Sequence, residues 1–420
     1  MKMSCLSGFS LCSCGAKALV AIFVLLLAVP SYQPLVFASS SFPIPSEMLV
    51  RDYWPTAGWR NSTPEDQGMS SATLDAMITH IEDSDLDVHS VIVTRHGYVV
   101  LEEYPNPFQG QSRTQSYNGT HYLYSVTKSF TSCLIGIAIQ EGLIDNTSQT
   151  VLSFFPDMTF ENVDDWKERM TLWDLLTMNS GLPWDETSAP FSSPENDVWQ
   201  VNYNSSGGVQ YVLDRPMEHE PDTYYLYNTG ASHVLSGIVE QVANMTTLQF
   251  ATQYLFTPLN ISPVYWPTDT KGVNFGGFDL QIRPLDMAKF GYLYLNNGTW
   301  DGLEIVSEDW VQNTTTTVTT LSSSHSYAAQ WHTMPDRDAY FAAGLYGQYI
   351  FVAPELDIVA VFTSGYGLSD IDENPQMFRD YILSAVTDAS PAFDPMQIGL
   401  IVISSVAVLA IVVLYIKKYR

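Results

Sequence analysis

The segment Tyr124-Ser125-Val126-Thr127-Lys128-Ser129-Phe130 runs directly into the apolar stretch Thr131-Ser132-Cys133-Leu134-Ile135-Gly136-Ile137-Ala138. This pattern predicts a helix that begins near Ser125 and continues to Glu141, where Gly142 ends it. Residues three apart share one face of a helix, so the Lys128 amine can reach the Ser125 hydroxyl. A serine needs a base to become a nucleophile, and a buried lysine with a lowered pKa can be that base. The spacing alone also occurs by chance, so its context must support it.

The N-terminal end of the chain differs in composition from the rest. Residues 1–38 carry Lys2 and Lys17, an apolar stretch from Ala18 to Val29, and a small residue, Ala38, before a run of serines. These features are typical of a secretory signal peptide, with an uncleaved amphipathic anchor as the alternative. We expect residues 1–38 to be a signal peptide and residues 39–395 to form an extracellular body.

The C-terminal end predicts a membrane span. No charged residue occurs from Ile398 to Ile416, and about twenty such residues cross a hydrocarbon layer of about 30 Å as a helix. Lys417, Lys418 and Arg420 follow, as expected on the cytoplasmic side. We expect residues 396–420 to be a transmembrane helix with a short basic cytoplasmic tail, in a single-pass protein of the cell membrane. A buried core helix is the alternative.

The body is strongly acidic. All 45 Asp and Glu lie between the two apolar ends, whereas five of the 18 Lys and Arg lie within the ends. A surface of this sign repels phosphates, which argues against a nucleic-acid partner. The body contains no H-E-x-x-H motif, no cysteine pair and no glycine-rich phosphate loop after a strand, so we expect neither a metal nor another cofactor.

Cys133 is the sole cysteine of the body, because Cys5, Cys12 and Cys14 fall in the predicted signal peptide. We interpret Cys133 as a small buried apolar residue. Eight N-x-S/T triplets indicate glycan attachment on an exported domain. Their asparagines are Asn61, Asn118, Asn146, Asn204, Asn244, Asn260, Asn297 and Asn313.

Strand-like segments lie near both ends of the body, with helical segments between them. Asp87 to Tyr104 predicts a hairpin that turns at His96-Gly97. Further along, the pattern predicts a helix from Pro284 to Leu295, strands at Tyr349–Val352 and Asp357–Phe362, and a closing helix from Gln376 to Val386. This order predicts an α+β fold in which both ends of the body build one sheet around a helical insertion.

Five sequence blocks, taken in order, resemble the serine β-lactamase-related family of class C β-lactamases, DD-peptidases and esterases, and most closely its 6-aminohexanoate-dimer hydrolase-like branch. The blocks are Tyr124–Phe130, Leu175–Glu186, Tyr227–Gly230, Arg283–Gly291 and Gly347–Glu355. The resemblance implies the β-lactamase/DD-peptidase-like fold, an α/β sandwich with an antiparallel sheet. It also implies a serine hydrolase that cleaves an amide or ester bond of a small molecule or peptide through an acyl-enzyme on Ser125.

The resemblance implies a catalytic role for Tyr227, which stands at the tyrosine of the family's Y-x-N motif. A phenol near a lysine ammonium can ionise more easily and then carry a proton between the serine and the leaving group. Thr229 takes the asparagine position of that motif and can still form hydrogen bonds. By the same analogy Trp184, Asp185 and Glu186 line the pocket mouth, although Trp184 equally fits packing in the core.

The third family motif, K-T-G or H-x-G, is replaced here by Ala342-Ala343-Gly344-Leu345-Tyr346-Gly347. No basic side chain is present in it to bind a substrate carboxylate, which argues against β-lactams and D-Ala-D-Ala peptides as substrates. The resemblance implies that the backbone amides of Ser125 and Leu345 form the oxyanion hole. His332, just upstream, is a candidate polar group of the pocket, with a surface or core histidine as the alternative.

Two other functions compete with an amidase or esterase. One is a D-amino-acid peptidase of the penicillin-binding type, which the missing basic residue disfavours. The other is a non-catalytic binding protein on the same fold. A binding protein has no need of Ser125, Lys128 and Tyr227 together, so their presence favours an enzyme.

Overall fold

The computed structural model describes residues 51–106, 119–367 and 373–387. All of them belong to one unit, Arg51–Arg420. The predicted signal peptide at residues 1–38 and the predicted transmembrane helix at residues 396–420 lie outside the described residues. Within the described ranges, no helix is both long enough and apolar enough to cross a membrane.

Strands occupy both ends of the described chain, and helices fill the middle. The strands are β1 (Val88–Arg95), β2 (Tyr98–Glu103), β3 (His121–Tyr122), β4 (Gln281–Ile282), β5 (Thr299–Trp300), β6 (Leu303–Glu304), β7 (Thr319–Thr320), β8 (Ser326–Tyr327), β9 (His332–Met334), β10 (Ala339–Gly344), β11 (Gln348–Ala353) and β12 (Ile358–Ser364). The helices are α1 (Ser71–Asp83), α2 (Thr127–Gln140), α3 (Asp165–Arg169), α4 (Leu172–Leu176), α5 (Asp197–Tyr203), α6 (Gly208–Asp214), α7 (Thr229–Ala243), α8 (Thr247–Ala251), α9 (Thr257–Leu259), α10 (Pro284–Leu295), α11 (Glu308–Thr315) and α12 (Glu373–Met377).

An eight-stranded antiparallel sheet runs in the order β2-β1-β12-β11-β10-β9-β8-β7. Its first two strands come from the start of the body and the other six from its end, so the prediction of one sheet around a helical insertion is confirmed. The predicted hairpin is also confirmed. His96 and Gly97 have φ angles of 52° and 85°, and positive φ at both central residues is what a tight hairpin turn requires.

The sheet is covered on both faces. In β11, Ile350 and Val352 face one apolar cluster, shared with α2, α7 and α10, while Tyr349 and Phe351 face a second cluster that includes α1. Central strands buried on two sides need apolar residues at every position, which explains their continuous hydrophobic sequence. Gly291 lets α10 approach the sheet closely, because a Cβ there would lie 2.6 Å from Val359 Cγ1.

The predicted helix at Ser125–Glu141 is a short 3₁₀ turn, Tyr124–Val126, followed by α2. Residues 127–138 are all buried, so α2 is a central helix, and Cys133 is buried within it as predicted. The closing helix differs from the prediction. It begins at Glu373, passes into a π-helical turn at Phe378–Ile382 and ends in a 3₁₀ turn at Leu383–Ala385. Phe378 stacks on Phe351 of the sheet at 4.4 Å, a contact that local sequence patterns do not reveal.

The predicted glycan asparagines that the structure describes all lie at the surface or are half-buried. Asn118 lies outside the described residues. Glycan attachment therefore stays a prediction from the sequence triplets.

Candidate active site

Ser125 and Lys128 are in direct contact at the start of α2. Lys128 Nζ lies 3.1 Å from Ser125 Oγ, 3.0 Å from Thr229 Oγ1 and 2.9 Å from the carbonyl oxygen of Gly277. Ser125 is half-buried, whereas Lys128 is only 2% exposed. The 3₁₀ turn explains the exposure of the serine, since it places Ser125 just before the buried helix while Lys128 lies inside it.

Burial lowers the pKa of the Lys128 amine from its ordinary value of 10.5 to about 8, although the negative charge of Glu186 acts in the opposite direction. Water cannot stabilise the ammonium at this depth, so the neutral amine is favoured. The three partners suit both protonation states. The ammonium donates to all three, while the neutral amine can donate to Gly277 and Thr229 and accept the Ser125 hydroxyl proton. The geometry is that of a base and its nucleophile.

Tyr227 lies against both residues. Lys128 Nζ is 4.8 Å from the centre of the Tyr227 ring, and the phenol interacts with Ser125. The expectation that the nearby lysine eases ionisation of this phenol is wrong. Burial, reinforced by the charge of Glu186, raises the pKa of Tyr227 well above its ordinary value. Tyr227 is therefore a neutral hydroxyl at neutral pH and can act as a hydrogen-bond donor or a proton relay.

Glu186 is the member of the Trp184–Glu186 group that reaches the cavity beside Ser125. Its carboxylate accepts hydrogen bonds from the Trp184 indole and, at 3.2 Å, from the backbone amide of Thr229 at the start of α7. Trp184 is 7% exposed and packs on Gly230, where a Cβ would lie 2.5 Å from the indole ring. Trp184 thus packs in the core and holds Glu186, and it does not line the cavity mouth.

Asp185 is exposed and turns away from the cavity. Its carboxylate accepts hydrogen bonds from the backbone amides of Thr187 and Ser188 and from the Ser188 hydroxyl. These bonds lower the pKa of Asp185 to about 2. The residue stabilises a loop, contrary to the expectation that it lines the pocket.

The end of β10 packs directly on the 3₁₀ turn that carries Ser125. A Cβ on Gly344 would lie 2.3 Å from the carbonyl oxygen of Leu123 and 3.3 Å from the Ser125 amide nitrogen. Leu345 follows Gly344 and lines the same cavity as Ser125. The backbone segments that carry the two predicted oxyanion-hole amides are therefore neighbours. Their role in binding an oxyanion stays a prediction.

The cavity beside Ser125 has a volume of about 510 Å³. Six residues that the sequence singled out line it, namely Ser125, Glu186, Tyr227, Thr229, His332 and Leu345. Among the described residues that line it, no arginine or lysine side chain is present, while Lys128 lies buried beneath Ser125. A cavity of this volume is large enough for a small molecule or a short peptide segment.

His332 is part of the cavity wall, not of the outer surface. It lies on β9, stacks on Phe341 at 5.1 Å, and its Nδ1 forms a 2.8 Å hydrogen bond with Nε2 of His325. Burial lowers the pKa of His332 to about 3, with further contributions from His325 and Lys128. The imidazole is consequently neutral, and it offers a substrate a hydrogen bond without a charge.

The comparisons with known proteins agree with this geometry. A family model described as Beta-lactamase matches residues 74–370. The chain belongs to the β-lactamase family. It is 24% identical, over 338 residues, to the 6-aminohexanoate-dimer hydrolase of Paenarthrobacter ureafaciens. The aligned region covers 74% of this chain and 82% of that protein. The predicted resemblance to this family is confirmed.

Solved structures show the same β-lactamase-family fold. A class C β-lactamase from Rhodobacter sphaeroides has a TM-score of 0.57 and 18% identity, over 75% of this chain and 99% of that chain. EstCE1, a hydrolase with promiscuous acyltransferase activity, has a TM-score of 0.61 and 14% identity, over 76% of this chain and 99% of the EstCE1 chain. The antiparallel α+β fold predicted from the resemblance is thereby confirmed.

Gln330 is a buried residue that holds together the helices around this β-lactamase-family site, and the sequence did not reveal it. It is buried and has a φ of 67°. Its side chain accepts a hydrogen bond from Ser232 on α7 and donates to the carbonyl of Leu176 on α4, while its own carbonyl accepts from Ser129 on α2. Gln330 thus connects α7 and α4 with α2, the helix that carries Lys128. A single glutamine in the sequence gives no sign of these contacts.

Proposed function

We propose that the protein is a serine hydrolase that cleaves an amide or ester bond through an acyl-enzyme on Ser125. The observation that carries this proposal is the 3.1 Å contact between Ser125 Oγ and a buried amine whose pKa is lowered to about 8. A hydroxyl beside such an amine, in an open cavity, is an activated nucleophile. The family of hydrolases to which the chain belongs supports the same conclusion.

In the first half of the reaction, neutral Lys128 takes the hydroxyl proton while Ser125 Oγ bonds to the substrate carbonyl carbon. The backbone amides of Ser125 and Leu345 stabilise the negative oxygen that develops. Tyr227 then passes its phenolic proton to the leaving nitrogen or oxygen and receives one from the Lys128 ammonium. The bond between the carbonyl carbon and the leaving group breaks, and the acyl group stays on Ser125.

In the second half, a water molecule attacks the acyl carbon and gives a proton to Lys128. The bond to Ser125 Oγ then breaks, and the proton returns from Lys128 to the serine. The product acid leaves, and the enzyme regains its starting state.

We place this activity outside the cell, in a protein held at the membrane by its C-terminal helix. The support for this location is compositional: residues 1–38 have the pattern of a signal peptide and residues 396–420 that of a transmembrane helix with a basic end. The described residues that line the cavity include no arginine or lysine that could bind a substrate carboxylate. This composition favours a substrate that does not depend on a carboxylate for its recognition.

A fluorophosphonate probe tests the nucleophile directly. We expect it to label the wild-type chain on Ser125 and to abolish hydrolysis of a neutral ester, while Ser125→Ala is neither labelled nor active. Ser132→Ala is the matched control, since Ser132 lies further along α2 and its hydroxyl donates to the backbone carbonyl of Ala329. Full ester hydrolysis by Ser125→Ala would refute the proposal. Turnover of a D-Ala-D-Ala peptide far above that of the ester would favour the peptidase instead.

A further inference from the structure

A second cavity lies at the end of α2 that is remote from Ser125. Its volume is about 780 Å³, within the range of about 300 to 1,000 Å³ that ligand cavities occupy. Ile139, near the C-terminal end of α2, lines it, about 20 Å along the helix from Ser125. Among the described residues, the two cavities have no lining residue in common. This second cavity, which we call the distal cleft, is therefore separate from the proposed active site.

The wall of the distal cleft combines an aromatic face with free hydrogen-bonding groups. Trp173 of α4 lines it and is half-buried. Asp174 is 5% exposed, and its Oδ2 accepts two hydrogen bonds from Thr171, while no described residue donates to its Oδ1. Arg169 uses its Nε and Nη2 in hydrogen bonds, whereas its Nη1 bonds to no described residue. The wall thus offers an indole, a buried acceptor and a donor.

These groups match the chemistry of a carbohydrate. A sugar ring has apolar C–H faces that pack on an indole, and hydroxyls that both donate and accept hydrogen bonds. Burial raises the pKa of Asp174, and the hydrogen bonds from Thr171 offset this only in part. A hydroxyl that donates to Asp174 would reduce this cost of burial. Asp174, Asp222 and Asp309 in the same wall repel an anionic ligand such as a phosphate.

Two asparagines of the N-x-S/T triplets lie in the wall of the distal cleft. They are Asn146, in the loop after α2, and Asn313, on α11. The loop of Asn146 is fixed to α4, because the carbonyl of Thr147 accepts from the amide of Trp173 at 2.9 Å. A glycan on Asn146 would therefore begin close to the indole. Since such a glycan is tethered beside the cleft, weak contacts are sufficient to hold it there.

The side-chain amide of Asn146 is free to be modified. Its Oδ1 accepts from the backbone amide of the second residue along at 2.9 Å, and no described residue bonds to its Nδ2. In contrast, the Nδ2 atoms of Asn204, Asn260 and Asn297 each donate a hydrogen bond to another residue. A sugar at those three positions must be accommodated beside an existing partner, whereas Nδ2 of Asn146 has none among the described residues.

We propose that Asn146 carries an N-linked glycan whose first sugar rings lie in the distal cleft, packed on Trp173 and hydrogen-bonded to Asp174 and Arg169. In the attachment, Nδ2 bonds to C1 of the first sugar, and the bond from C1 to a phosphate oxygen of a lipid-linked sugar donor breaks. Nδ2 gives one proton to a base, and the lipid phosphate leaves with the bonding electrons. The inference goes beyond the proposed hydrolase function and requires the export that we propose for the body.

The test uses the full chain produced in yeast, whose export pathway adds N-linked glycans, and endoglycosidase H, which cuts such glycans after the first sugar. We expect peptide mass spectrometry to find Asn146 glycosylated. Cleavage there should be at least about tenfold slower in the folded than in the denatured chain, because a glycan held in the cleft about 90% of the time is open about 10% of the time. Asn244 is the internal control, since it is exposed and does not line the cleft. We expect a glycan there to be cleaved without this delay.

Two substitutions test the contribution of the cleft. Trp173→Leu should remove the protection, so that the glycan on Asn146 is cleaved as fast in the folded as in the denatured chain. Trp166→Leu is the matched control and should leave the protection unchanged, since Trp166 is an exposed tryptophan of α3 that does not line the cleft. Protection that persists in Trp173→Leu would overturn the assignment of the glycan to the cleft.

The wild-type chain alone can also overturn the inference. Equal cleavage at Asn146 in the folded and the denatured chain would do so, and so would the absence of a glycan there. Binding of triacetylchitotriose to a chain without that glycan, weakened by Trp173→Leu, would assign the cleft to a separate saccharide instead. None of these measurements depends on hydrolysis at Ser125, so their failure is distinct from a failure of the proposed function.

Discussion

The rate of hydrolysis of a neutral ester should depend on the protonation state of Lys128. The amine must be neutral to take the Ser125 proton, and its pKa is lowered to about 8. A base is neutral above its pKa, so activity should be present above pH 8 and be lost as the pH falls. The neutral fraction is about 1% at pH 6, about 10% at pH 7 and about 50% at pH 8. We therefore expect kcat/KM to rise about tenfold from pH 6 to pH 7 and to level off above about pH 9.

The size of the effect follows from the environment of the lysine. A shift from 10.5 to about 8 corresponds to about 3 kcal/mol of selective destabilisation of the ammonium. Glu186 opposes this shift, so Glu186→Gln should lower the pKa of Lys128 further and move the rise in activity to lower pH. Glutamine keeps an acceptor oxygen for Trp184 and Thr229, which limits the change to the charge.

The assay is the initial rate on a neutral 4-nitrophenyl ester between pH 6 and pH 10 at constant ionic strength, with the rate of Ser125→Ala subtracted. Lys128→Arg is the control for a permanently charged side chain, and we expect it to be inactive throughout. A rate that does not change with pH in the wild-type chain would refute the role of Lys128 as the base. A pH profile that is the same in Glu186→Gln as in the wild-type chain would also refute it.

Two further substitutions test other parts of the site. Gly344→Ala places a Cβ 2.3 Å from the carbonyl oxygen of Leu123 and 3.3 Å from the Ser125 amide. It should lower kcat, measured by steady-state kinetics, about 100-fold by displacing the 3₁₀ turn that carries Ser125. An unchanged kcat would show that this turn adjusts freely. Lys167→Met leaves three backbone carbonyl oxygens, on Glu161, Leu213 and Arg215, without their donor. It should lower the free energy of unfolding in urea by about 3 kcal/mol and leave the pH profile of hydrolysis unchanged; a shifted profile would mean that Lys167 affects the site.

The elements that sequence predicted best are those whose signals are local. The hairpin at His96-Gly97 and the helix Pro284–Leu295 each depend on residues that are neighbours in the chain. The contact of Ser125 with Lys128 is of the same kind, because three residues along a helix fix the distance between two side chains. Periodicity and turn chemistry are sufficient for such features.

Residues that acquire their chemistry from distant segments escaped prediction. Asp279 lines the cavity beside Ser125 because Leu280, the next residue, bonds to Thr127 of α2, more than a hundred residues earlier in the chain. The pKa of Tyr227 rises because other segments bury the phenol and place Glu186 near it, which reverses the effect expected from the lysine alone. Left-handed backbone at Tyr124 leaves no mark in the sequence, since residues with β-carbons rarely adopt it.

The comparison of two buried lysines explains why only one of them is a candidate base. Burial lowers the pKa of both Lys128 and Lys167. Lys167 donates to three backbone carbonyls at 2.6 to 3.0 Å, and a carbonyl has no proton to give back, so a neutral amine there would lose one hydrogen bond. Lys128 instead faces one carbonyl, on Gly277, and two hydroxyls, on Ser125 and Thr229. A hydroxyl can donate to the lone pair of a neutral amine, so Lys128 keeps all three bonds after it gives up its proton. The hydroxyl partners, as much as the burial, make this lysine able to exchange a proton with the serine.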